Sequence, residues 1–144
     1  GVEWARPLTA LAPVLVQNIA RLNLHKLHAQ LVETGLQSRW GWLLENTLLA
    51  LHKESVELSR PWALRYRRAA LLIENWLAAV RGQSEEQRTA DTQPLDIIDS
   101  DIRSRSTLDE VMATASDISH RWRIATLIRP SDFATALRAA RADT

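Results

Sequence analysis

From Pro7 to Arg81 apolar residues return every three to four positions, the period that lines side chains along one face of a helix. The spacing predicts a first helix over about Pro13 to Thr34, since proline is tolerated in a first turn, where its missing N–H has no partner to lose. Its apolar positions form two adjacent stripes, Leu11, Leu15, Ile19 and Leu22 beside Val16, Ala20, Leu24, Leu27 and Leu31, with Gln17, Arg21, His25 and His28 on the wet side. Gly35 stands where a glycine with positive φ closes a helix. A second helix is expected over Leu36 to Ser59, with a seam of Trp40, Leu44, Thr47, Leu48, Leu51, Ser55 and Leu58 that leaves Leu43, Leu49 and Val56 outside it. Ser59-Arg60-Pro61 reads as a stop and restart. A third helix then runs to about Arg81 on the stripe Trp62, Tyr66, Ala69, Ile73, Trp76, Leu77 and Val80, with Gly82 as its end.

Residues 83–106 break the pattern: they are polar, contain Pro94 and offer only Leu95, Ile97, Ile98 and Ile102 for burial, which reads as an acidic linker or mobile loop, with LDIIDSDI able to dock as a helical turn. Thr107 followed by Glu110 matches a capping box, and Leu108, Val111, Met112, Ala115, Ile118, Trp122 and Ala125 continue as a fourth helix. Arg129-Pro130-Ser131 interrupts it and starts a short last helix with Phe133, Leu137 and Ala140 inward. Only Leu127-Ile128 resembles a strand. The expected fold is all-α: an antiparallel helical bundle of four to five helices with a long polar loop between the third and fourth.

The length, 144 residues, and the composition, 46% hydrophobic and 24% charged, suit a single helical domain spanning 1–144 that buries a core without disulfides or metals. Gly1 at the start, with Met112 the lone methionine, reads as a domain excised from a larger protein. The absence of cysteine removes disulfide frameworks, thiolate zinc sites and cysteine nucleophiles. Apolar runs such as 48–51 and 71–73 fall far short of the roughly 20 residues of a membrane span, and no signal peptide is visible, so the expected setting is cytoplasmic.

Candidate chemistry is sparse. His25 and His28 share a helix face and with His52 offer a weak metal set, but without HExxH or Glu-x-x-His two such histidines read as solvated, and no metal or cofactor is expected. Arg21 and His28 have the R-x6-H spacing of HEPN ribonucleases, yet Leu22 stands where that family usually has a polar residue and the pair lies near the chain start, so no membership is drawn. Ser116, Asp117 and His120 are too close on one helix to converge as a hydrolase triad. Neither GxxxxGK[ST] nor GxGxxG occurs, and the carboxylates Glu85, Glu86, Asp96, Asp99 and Asp101 fall in a polar segment where solvent keeps them ionised. The chain therefore reads as non-enzymatic.

Charge is nearly balanced overall, +1, but regional. Residues 83–110 carry three basic and eight acidic side chains between two mildly basic parts. Arg60, Arg65, Arg67 and Arg68 crowd the start of the third helix, and Arg121, Arg123 and Arg129 cluster later, a set suited either to phosphates or to pairing with the linker aspartates. Of six tryptophans, Trp40, Trp62, Trp76 and Trp122 sit on seams, while Trp42 lies off the seam with Leu43, Leu49 and Val56. This surplus apolar face, involving the first and second helices, points to a protein–protein interaction or oligomerisation domain with Trp42, Leu43, Leu49 and Val56 contacting a protein partner or a second copy. The alternative is a nucleic-acid-binding regulatory domain using Arg65, Arg67, Arg68, Arg121 and Arg123.

Overall fold

Gly35 ends one helix and starts the next with a backbone device only glycine supplies cheaply. Its φ is +75°, its N–H donates to the Val32 carbonyl at 3.2 Å, and the Leu36 N–H donates to the Leu31 carbonyl at 3.0 Å. This double bond pattern satisfies carbonyls a helix end would otherwise leave bare and brings Leu36 against Leu31. The structure, a computed structural model, describes residues 8–56, 58–87, 95–99 and 101–142. Within them run seven helices: α1 (Leu11–Asn18), α2 (Leu24–Thr34), α3 (Gln37–Glu54), α4 (Arg60–Gln87), α5 (Arg105–Ala113), α6 (Asp117–Trp122) and α7 (Pro130–Ala142). A two-stranded parallel ladder pairs β1 (Asp96–Ile97) with β2 (Ile124–Ala125), Asp96 opposite Ile124. The all-α reading holds, and among the described residues no helix is long and apolar enough to cross a membrane.

Helix α3 is the element on which the others converge: α7 makes its most extensive interface there, and α4, α6 and α2 also pack on it. Seven consecutive residues, Gly41 to Thr47, are buried, so the one-sided period of an amphipathic helix is lost in the middle of α3. Burial all round makes partners for its polar side chains valuable, and within Gly41 to Thr47 only Asn46 Oδ1 lacks one among the described residues. Asn46 Nδ2 donates to the Trp42 carbonyl at 2.9 Å, Thr47 Oγ1 to the Leu43 carbonyl at 2.7 Å, and the Glu45 carboxylate accepts from Arg121 and from Trp122 Nε1. Further out, Arg141 Nη2 donates to Glu54 at 2.8 Å and Nη1 to the Tyr66 hydroxyl at 2.7 Å, joining α7, α3 and α4.

Four boundaries differ from expectation. The first helix is not continuous: α1 tightens into a 3-10 turn at Ile19–Arg21, and Asn23 starts α2 afresh, its Oδ1 accepting the Lys26 N–H at 3.0 Å. An asparagine N-cap of this kind contributes about 1 kcal/mol, enough to favour a break that the apolar period conceals. Helix α4 passes through Gly82 to Gln87, because an interior glycine weakens a helix without ending it. The fourth helix divides into α5 and α6, each opened by a serine: Ser104 accepts the Thr107 N–H, so Thr107 is inside the first turn and not at its cap, and Ser116 accepts the Ser119 N–H. The strand falls at 96–97 and 124–125 and not at Leu127-Ile128.

The expected linker 83–106 is correspondingly reduced. Residues 83–87 belong to α4, whereas 88–94 and 100 lie outside the described residues, as do residues 1–7 with Trp4 and Pro7. The portion from 95 onward is anchored by its acidic residues. Asp96 receives Nε and Nη2 of Arg39 at 2.6 and 2.8 Å, and Asp99, 3% exposed, receives the Thr126 hydroxyl and the Leu127 N–H. These carboxylates therefore bind Arg39 and backbone or hydroxyl donors, not the arginine clusters of α4 and α6. The bidentate bond to Asp96 holds the Arg39 guanidinium pKa above its ordinary value.

Candidate interaction surface

The turn at Gly35 builds an apolar groove. Leu31 lies in the last turn of α2 and Leu36 follows the turn; one helical step on, Trp40 and Leu43 of α3 face the same way. Leu8 and Leu11 close the opposite side, and Ile98 closes one end, placed by its N–H bond to the Ala125 carbonyl at 3.1 Å and by the Arg39–Asp96 clamp beside it. The groove encloses about 430 Å³, and Arg39 is its only charged wall residue among those described. Leu11 and Leu36 remain 42% and 41% exposed at its edges, and the buried Trp40 indole N–H has no acceptor among the described residues.

The four residues expected to form an exposed apolar face do not do so together. Trp42 and Leu43 are core residues at 1% and 6% exposure; they meet the groove only as its floor, because the cover supplied by α6 and α7 encloses the side of α3 that the period left outside. Trp42 stacks edge-on to Phe133 of α7 at 5.4 Å and donates Nε1 to the Ser119 hydroxyl at 3.2 Å. Leu49 is half-buried against the main core, and Val56 alone points outward, beyond the end of α3. Of the residues that take their place at the groove, Leu11, Leu31 and Trp40 were visible as stripe or seam positions and Leu36 only as the start of a helix, with nothing in the period to show that they stay open.

The arginines are likewise divided. Arg65, Arg67 and Arg68 are exposed on α4, the guanidinium of Arg65 lying 5.1 Å from the Trp62 ring centre. Arg121 is turned to the buried Glu45, and Arg123 caps α6 in a left-handed conformation, φ +55°, with its carbonyl accepting the Asp96 N–H at 2.8 Å. Helix α3 packs against both α4 and α6, which make no extensive interface with each other, so the five arginines do not share a face. The α4 group is instead joined by Arg60 and by three exposed leucines that lie on no expected stripe, Leu64, Leu71 and Leu72. At 100° per residue Leu64 and Leu71 fall opposite the buried stripe from Trp62 to Val80 and Leu72 on its flank, which was the available signal.

The remaining candidates are structural. Arg21 and His28 are separated by the break at Asn23, so one continuous helix does not align them. Ser116 is spent on capping α6. His52 contacts Glu74 at 3.1 Å across α3 and α4, and His28 lies edge-on to Trp76 at 5.5 Å. Burial, and secondarily the neighbouring His25, lowers the His28 pKa below its ordinary 6.5. The folded state thus favours the neutral ring, while the unfolded chain takes up the proton as pH falls through 6.5. Stability contributed by His28 is complete above that pH and is lost on acidification toward the lower folded-state value. Urea midpoints at pH 7 and pH 5 are expected to fall further for the wild type than for His28→Gln; equal falls would assign the acid sensitivity elsewhere.

No protein-family model matches this chain, and no curated protein and no solved structure matches it. The functional reading accordingly stands on the geometry above.

Proposed function

We propose that this chain is a single, non-enzymatic helical domain, its helices forming an antiparallel bundle around α3, whose work is to dock a protein partner. The observation that carries the reading is the apolar groove between Leu11, Leu31, Leu36 and Trp40. Its volume, about 430 Å³, suits one or two bulky apolar side chains, and leucines left about two-fifths exposed at its edges gain from being covered. The partner chemistry that fits is an amphipathic segment presenting leucine or aromatic anchors at helical spacing.

Selection from a displayed library of random helical peptides tests this directly. Binders are expected to share bulky apolar residues at i and i+3 or i+4. Leu36→Glu, at an exposed groove edge, is expected to weaken them at least about tenfold, which corresponds to about 1.4 kcal/mol. Peptides that bind Leu36→Glu as tightly as wild type, or a selection that returns no binders, would refute the groove.

A second reading is favoured by one specific observation: Arg60, Arg67 and Arg68 are exposed and make no ion pair among the described residues. Under it α4 contacts nucleic-acid phosphates. It requires steeply salt-dependent oligonucleotide binding that Arg67→Glu with Arg68→Glu removes and Leu36→Glu leaves intact.

A further inference from the structure

A second concavity lies toward the C-terminal end of α3, away from the groove, and has a different character. It is a cleft of about 380 Å³ between the end of α3, the α5–α6 connection and the segment leading from β2 into α7. Leu49, Val111 and Ile128 line it with hydrocarbon, and Lys53 and Arg129 bring two cations to it. Both cations are exposed, and neither side chain has a carboxylate partner among the described residues. Among the described residues no carboxylate lines the cleft.

The nearby acidic groups are already engaged. Asp99 sits behind Thr126 and is held by that hydroxyl and the Leu127 N–H; Asp132 accepts the Arg129 backbone N–H at 2.7 Å and so fills the start of α7 itself. The Ser116 and Ser119 hydroxyls are tied to each other and to Trp42. Two hydroxyls keep capacity: Ser131, which makes no side-chain hydrogen bond, and Thr114, whose contacts to the Glu110 and Val111 carbonyls are long at 3.4 Å. The cleft therefore presents an ammonium, a guanidinium and two hydroxyl donors above an apolar floor.

From this arrangement we infer that the cleft binds a small phosphomonoester carrying a compact apolar body. A dianionic phosphate group has enough acceptor oxygens for Lys53, Arg129 and the two hydroxyls together, and two cations balance its charge. Hydrocarbon attached to it covers Leu49, Val111 and Ile128. The site is separate from the docking groove and does not depend on it.

The test is calorimetric titration of the intact chain with phenyl phosphate, inorganic phosphate and benzyl alcohol, for wild type, Lys53→Ala, Arg129→Ala and the double variant, with Arg67→Ala/Arg68→Ala as a control on α4. Since the Lys53 and Arg129 side chains hold no partner among the described residues, these variants are expected to retain the wild-type circular dichroism. Phenyl phosphate is expected to bind wild type and the control equally, about tenfold more weakly in each single variant, and about a hundredfold more weakly in the double variant, as loss of one and then two charge-assisted bonds implies. Inorganic phosphate is expected to bind more weakly than phenyl phosphate, and benzyl alcohol not to bind at all. Undiminished binding in the double variant, equal loss in the α4 control, equal affinity for the two phosphates, or no heat of binding at millimolar phenyl phosphate would each overturn the assignment.

Discussion

Trp42→Ala is expected to cost about 3–5 kcal/mol of folding stability, the range for truncating a fully buried large aromatic. The indole is 1% exposed, contacts the Phe133 ring edge-on at 5.4 Å and donates to Ser119. Alanine leaves a cavity between α3, α6 and α7 and removes one hydrogen bond from the buried Ser119 hydroxyl. Against a domain stability of about 5–15 kcal/mol the loss is a large fraction, so urea unfolding followed by circular dichroism is the measurement. Trp42→Phe, which keeps most of the volume and loses the N–H, is expected to fall between and to remain measurable if the alanine variant does not fold. If Trp42→Ala unfolds at the wild-type midpoint, Trp42 is not a core residue.

Gly41→Ala is expected to destabilise by about 1–3 kcal/mol, although alanine is intrinsically the better helix former by about 1 kcal/mol. An added Cβ would lie 2.7 Å from Cε3 of Trp122, with Cζ3 and Cη2 nearer still, well inside van der Waals contact. The ring cannot withdraw at no cost, because its Nε1 donates to Glu45 at 3.0 Å and that carboxylate is buried. A shift that relieves the clash strips the acid of one of its bonds. Pairing Gly41→Ala with Trp122→Leu is expected to recover part of the loss, a favourable coupling of about 1 kcal/mol in a double-mutant cycle. A Gly41→Ala chain more stable than wild type would mean that helix propensity wins and that the close approach of α6 to α3 is not tight.

Much of the molecule was legible from spacing. Helix α4, with Pro61 in its first turn and the stripe from Trp62 to Val80 inward, follows from a single strong period; so do the Gly35 end and the Pro130 start. What spacing hid has physical causes. Short caps at Asn23, Ser104 and Ser116 cut helices without disturbing the apolar rhythm. Arg123 adopts a left-handed cap that most sequences reserve for glycine, so the end of α6 and the ladder behind it carried no residue-type signal. The same limit governs the groove. Its members were all visible as apolar positions, but an amphipathic helix in the centre of a fold is covered on faces that its period marks as outer. Trp42, read as surplus, is thus a keystone, while Leu36, read as an ordinary helix start, is left open.

The Glu54–Arg141 bond joins residues 87 positions apart, and it belongs to the most extensive interface in the molecule, that between α3 and α7. Such long-range closure has a consequence for biosynthesis. Until α7 has been synthesised, α3 has no lid over Trp42, and the nascent chain exposes the helix that the finished fold buries most completely. The core around α3 therefore closes only once α7 has emerged, and chains truncated ahead of Pro130 are expected to be substrates for chaperones and proteases.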